Sequence, residues 1–105
     1  MKNLSQNEWQ EAVAEDKNAV VIDVRTVEEC REGMIEKAIN LDIINTDKFI
    51  SEVEKMDRSK SYYLYCAAGG RSGNACALMT EMGFENVFNL MGGFSCWCGN
   101  IVHND

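Results

Sequence analysis

The sequence predicts an α/β fold: a mainly parallel sheet with helices on both of its faces. Three observations carry this expectation. Short β-branched or aromatic runs alternate along the chain with segments whose apolar residues recur at helical spacing. Two S/T-x-x-E capping boxes, Ser5 to Glu8 and Thr26 to Glu29, mark helix starts. The chain has 105 residues and no proline, repeat or linker-like stretch, which fits one domain over residues 1–105.

Taken in order, Ser5 opens a helix over residues 6–15, with Trp9, Ala12 and Val13 at helical spacing. Residues 19–24 form an apolar, β-branched run of the buried-strand type. Thr26 opens a short helix that Gly33 ends. Residues 38–42 read as a short strand. Residues 47–56 read as a helix carrying Phe49, Ile50, Val53 and Met56 on one face. Residues 61–66, rich in tyrosine, form the next strand. A helix over 72–82 follows a glycine-rich loop and stops at Gly83. Residues 86–90 are a last strand, and Gly92-Gly93 turns the chain into a short helix over 94–97. In a sheet wound this way, ligands sit beyond the carboxyl ends of the strands, at the loops after Val24, Cys66 and Leu90.

Composition narrows the function. The chain is 46% hydrophobic and 26% charged, with a net charge of −7. Such a surface repels phosphates and anionic lipid heads, so nucleic acid and membrane are not expected partners. The first residues are polar, without the apolar run of a secretion signal, and a cytoplasmic location is expected. Five cysteines (Cys30, Cys66, Cys76, Cys96 and Cys98) are an odd number for a disulfide framework, so reduced thiols are expected. The single histidine, His103, lies in the C-terminal tail. That argues against a Cys-His or Ser-His-Asp arrangement and against a zinc site; neither metal nor cofactor is expected.

One loop concentrates chemistry: Cys66-Ala67-Ala68-Gly69-Gly70-Arg71-Ser72. A thiol ends a strand, small residues let the backbone curl, and a helix starts at once. Successive N–H groups and the helix end then converge on the thiol, and Arg71 adds a permanent charge. All of these favour thiolate, giving a nucleophile that needs no general base. Any one of these features would also suit an inert cysteine before an ordinary turn; their combination does not.

At this loop the chain resembles the rhodanese-like family. The resemblance continues through Asp23-Val24-Arg25 with Glu28-Glu29, Gly33-Met34-Ile35, Ala38-Ile39-Asn40, Gly83-Phe84-Glu85-Asn86-Val87, and Leu90-Met91-Gly92-Gly93-Phe94 with Trp97. It implies a five-stranded, mainly parallel sheet and a single-domain sulfurtransferase. In that family the loop cysteine becomes a persulfide and passes its sulfur to cyanide, a thiol or another protein. Carried over, Cys66 is the sulfur carrier, the backbone from Ala67 to Ser72 (Ala67, Ala68, Gly69, Gly70, Arg71, Ser72) cradles it, and Arg71 faces an anionic donor. Met34 stands where the family usually has histidine, and it is expected to pack as an apolar side chain. Related cysteine phosphatases and arsenate reductases place five residues between cysteine and arginine; here there are four, a smaller ring better suited to one sulfur atom. A non-catalytic binding or sensing module is the other alternative, although such modules typically lose the cysteine that this chain keeps.

The expected partners are a small sulfur donor, thiosulfate or a low-molecular-weight persulfide, and a sulfur-relay protein; the expected state is a monomer or weak dimer. Thiosulfate is the weaker expectation, because Arg71 is the loop's one basic side chain and the surface is acidic. Cys96 and Cys98 read either as a resolving thiol for the Cys66 persulfide or as small semi-buried residues beside Trp97. Cys76 reads as inert core. Asp23 is expected to accept backbone hydrogen bonds, and Arg25 to pair with a nearby carboxylate such as Glu29.

Overall fold

The computed structural model describes residues 1–103. Five strands form one wholly parallel sheet: β1 (Lys2–Leu4), β2 (Val20–Asp23), β4 (Ile39–Asn40), β5 (Ser61–Tyr65) and β6 (Asn86–Leu90), in the spatial order β1-β6-β5-β2-β4. The helices are α1 (Gln6–Glu15), α2 (Val27–Arg31), α3 (Thr46–Val53) and α4 (Gly70–Glu81), with a 3-10 turn at Phe94–Cys96. A separate antiparallel pair joins β3 (Met34–Ile35) to β7 (Ile101–Val102).

The two-residue period of the strands sorts the core. Ile22, Tyr62, Leu64 and Cys66 pack with Phe49 and Val53 of α3 and with Ala75, Cys76 and Met79 of α4. Their chain neighbours Val21, Tyr63 and Tyr65 point the other way, toward Trp9 of α1, Leu4, Ile35 and Leu90. Trp9 meets the rings of Tyr63, Tyr65 and Trp97 edge-on, a favoured arrangement for aromatic pairs. The expected α/β architecture with helices on both faces is therefore present. Both capping boxes form, Ser5 with Glu8 and Thr26 with Glu29.

The structure differs from the sequence expectations at short or unmarked elements. β1, β3 and β7 were not expected. α3 ends at Val53, earlier than Met56. α4 starts at Gly70, two residues before Ser72, from a left-handed Gly69 that offers no side-chain cap. Arg25 does not pair with Glu29. Its guanidinium engages Asp23, with Nη2 2.7 Å from Oδ2 and Nε 2.9 Å from Oδ1. Asp23 also accepts the Arg25 N–H, as expected. Asp23 stands at the end of β2 with its side chain fully buried, so the charge of Arg25 must be met there rather than on a solvent-facing helix.

Strand order fixes the position of the crevice. The chain runs from β2 outward to β4, then returns to the other side of β2 for β5 and β6. The loops after β2 and β5 therefore leave adjacent parallel strands in different directions, the switch point at which sheets of this kind place a ligand crevice.

Candidate active site

Cys66 follows β5 at this switch point and is only 2% exposed. The chain behind it curls through Ala67 and Ala68 to Gly69, whose φ of 109° lies in the left-handed region. That turn brings the Gly69 N–H to 3.0 Å from Cys66 Sγ. Burial pushes the Cys66 thiol up, but hydrogen bonds from the Ser72 hydroxyl and from the backbone N–H groups of Ser72, Gly69 and Ala68 outweigh it. The thiol is held below its ordinary value. The Ser72 hydroxyl and three backbone N–H groups thus converge on the thiol.

Ser72 sits on the first turn of α4, fully buried. Its hydroxyl lies 2.6 Å from Asn89 Oδ1 and 3.4 Å from Cys66 Sγ. A hydroxyl has one proton, and Asn89 is oriented by its own Nδ2 donating to Asn3 Oδ1 (3.0 Å) and the Gly69 carbonyl (3.3 Å). Asn89 and the thiolate thus compete for the Ser72 proton. Ser72→Ala is expected to raise the Cys66 thiol toward its ordinary value, seen as an upward shift in the pH midpoint of iodoacetamide alkylation. An unmoved midpoint would assign the whole effect to the backbone.

Ala67 contributes in the opposite direction. Its carbonyl accepts the Ser95 N–H (3.0 Å) and hydroxyl (2.8 Å), while the Cys66 carbonyl accepts the Phe94 N–H at 2.8 Å. The turn after β6 is thereby seated on the back of the loop. Gly70 opens α4 with free space beyond its Cα.

Arg71 does not stand free at the mouth. Its fork closes on Glu29, Nη1 to Oε1 at 2.7 Å and Nη2 to Oε2 at 2.9 Å. Glu29 is fixed from behind by the capping box, accepting from the Thr26 N–H and hydroxyl at 3.1 Å each. The hydrogen bond from Arg71 holds the Glu29 carboxyl down to about 2. The pair ties α2 to the first turn of α4.

Sequence reasoning assigned Glu29 elsewhere and passed over Asn89, Asn3 and Ser95. Asn89 carried a signal: a polar residue in a buried strand position between Phe88 and Leu90 requires a partner. The other thiols divide clearly. Burial pushes Cys30 and Cys76 up to about 12, which makes both inert, as expected for Cys76. Cys96 and Cys98 are exposed rather than semi-buried. Gln6 clamps the segment between them, donating to the Cys96 carbonyl at 2.7 Å and accepting the Cys98 N–H at 2.6 Å.

The sequence and the fold have counterparts among known proteins. Residues 5–100 match the Rhodanese-like domain family. The chain belongs to that family. It is 35% identical over 96 residues to the thiosulfate sulfurtransferase GlpE of Shewanella oneidensis, covering 91% of each chain. It is 27% identical over 99 residues to a tRNA uridine(34) hydroxylase of Pelagibacter ubique, covering 94% of this chain and 33% of that protein. The crystal structure of a rhodanese-like domain protein from Staphylococcus aureus superposes with a TM-score of 0.85 at 25% identity, over 100% of both chains. The expected fold and family are therefore correct, and the family is one of sulfurtransferases. No helix among the described residues is long and apolar enough to cross a membrane.

Proposed function

We propose that this rhodanese-like protein carries sulfane sulfur on Cys66 as a persulfide. The observation that carries the reading is the thiol itself: buried, yet held below its ordinary value by the Ser72 hydroxyl and converging backbone N–H groups. Those donors stabilise an anion at Sγ whether it is a thiolate or a persulfide one atom longer. Relatives that are sulfurtransferases support the same assignment.

The Cys66 thiolate attacks the outer sulfur of a donor. The donor's S–S bond breaks, and its remainder leaves with the bonding pair: sulfite from thiosulfate, a thiolate from a low-molecular-weight persulfide. An acceptor thiolate then attacks the outer sulfur of the Cys66 persulfide, and the Cys66 thiolate is the leaving group. Neither step needs a proton transfer at the loop, which agrees with a site built without a histidine.

With a suitable donor, intact mass spectrometry is expected to show one added sulfur atom per chain, and Cys66→Ser should remove it. Two results would sink the reading. One is no adduct from thiosulfate, methanethiosulfonate or a small-molecule persulfide. The other is an undiminished adduct in Cys66→Ser, which would move the chemistry to the exposed Cys96 or Cys98.

A further inference from the structure

We propose that Glu29 is a specificity determinant: by occupying the fork of Arg71, it selects against dianionic sulfur donors in favour of donors with one negative charge or none. The inference rests on Cys66 as the sulfur carrier and concerns which donors reach it.

Arg71 is the cation that a dianion would engage, and both nitrogens of its open edge are taken. The contact is bidentate, at 2.7 and 2.9 Å, the geometry in which a guanidinium is most specific for a carboxylate. The two side chains keep 30% and 34% of their surface, so the pair is open to an incoming donor, and Arg71 is near enough to Cys66 for the two charges to be felt by each other. Glu29 cannot swing aside without losing its bonds to Thr26, which anchor the first turn of α2. Nor does acidity release Arg71. Glu29 is depressed to about 2, so the pair is complete above the ordinary carboxylate range and is lost only as pH falls toward that value.

The hollow at the start of α2 does not restore the missing charge. It is lined by Val27, Asn40 and Leu41, and the cation there, Lys48, shares it with Asp42. A donor approaching Cys66 therefore meets a neutralised pair and the local dipoles of the loop. These favour a slender monoanion over a dianion, which has twice the charge to desolvate and no open fork to receive it.

Thiosulfate and methanethiosulfonate test this directly. In both, the Cys66 thiolate takes the terminal sulfur and the S–S bond breaks. Sulfite leaves from thiosulfate and methanesulfinate from methanethiosulfonate, so the donors differ chiefly by one unit of charge. Glu29→Gln keeps the capping-box acceptor toward Thr26, since glutamine serves there as well as glutamate, and removes the charge together with the acceptor that faces Arg71 Nη2. The energy of a unit charge with a dianion is twice that with a monoanion. A gain of about threefold in the loading rate constant with methanethiosulfonate should accompany a gain of about ninefold with thiosulfate. Both gains should shrink as the Debye length falls from about 30 Å at 10 mM salt to about 3 Å at 1 M. Glu29→Asp, which keeps the charge, should show no such gain.

Equal factors for the two donors, a loss with both, or a gain in Glu29→Asp as large as in Glu29→Gln would overturn the role of Glu29 while leaving Cys66 as carrier. Failure of both donors in native chain and variants alike, while a small-molecule persulfide still loads Cys66, would overturn this inference alone; failure of all three would remove the carrier reading, and this inference with it.

Discussion

Asp23→Ala is expected to lower the unfolding free energy by about 3–5 kcal/mol, the usual loss when one partner of a buried ion pair is removed. Asp23 is fully buried and Arg25 is 4% exposed, so the guanidinium left behind could neither recruit water nor shed its charge. It would keep one bond, Nη2 to the Gly33 carbonyl at 2.7 Å. The damage should also reach the site. The Arg25 guanidinium lies 4.3 Å over the ring of Phe94, and the Phe94 N–H holds the Cys66 carbonyl. Asp23→Asn retains an acceptor and should lose less. Urea denaturation of the two variants provides the measurement. A loss below about 1 kcal/mol for alanine would mean that Arg25 finds water or another anion, contrary to its burial here.

Gly93→Ala should produce the second large effect, and a more local one. Gly93 has φ 62° and ψ −162°, a region open to glycine and almost closed to other residues. A Cβ there would stand 2.6 Å from both the Cys66 and Ala67 carbonyl oxygens. Both are backbone atoms of the active loop, so relief requires the loop or the turn to move. Backbone strain alone costs about 1–3 kcal/mol, and the displacement should pull the Cys66 N–H cradle out of register. Sulfur loading should fall well beyond what the stability loss explains. Gly70→Ala is the internal comparison. It lies in the same loop but has open space beyond Cα and needs no left-handed backbone, so alanine should be neutral or stabilising by about 0.5–1 kcal/mol. If Gly93→Ala retained full loading while Gly70→Ala lost it, the seating of the turn on the loop would not matter to the chemistry.

Local signals in the sequence led to the right places, and nonlocal ones did not. Ser5 with Glu8 and Thr26 with Glu29 fix helix starts through contacts three residues apart, and both boxes are found as read. The strand ending at Cys66 and the small residues after it were enough to foresee the nest, because a nest is made of consecutive N–H groups. The partner of Arg71 is 42 residues away, and nothing near either residue announces the pairing. The expected partner of Arg25 is a carboxylate such as Glu29, four residues on, whereas the structure pairs it with Asp23, two residues back. Burial decided for Asp23, and burial depends on the sheet, not on spacing. β3 and β7 have two residues each, too few for periodicity to register. β1 has three residues, two of them polar and exposed, and it becomes a strand only because the edge of β6 is there to pair with.

That same edge strand has a practical consequence. Asn3 on β1 holds the Asn89 amide, Asn89 competes for the Ser72 proton, and Ser72 faces the thiol. Three residues after Asn3, Gln6 grips the Cys96–Cys98 segment. The opening residues of the chain are thus wired to the nucleophile from two sides. Trimming them in search of a minimal domain would also take the Ser5 cap of α1 and the buried Leu4, and would detune the thiol while β5, β6 and α4 keep their own contacts. A shortened protein of that kind would look well folded by spectroscopy and behave as a poor enzyme, and its low rate would be charged, wrongly, to the donor.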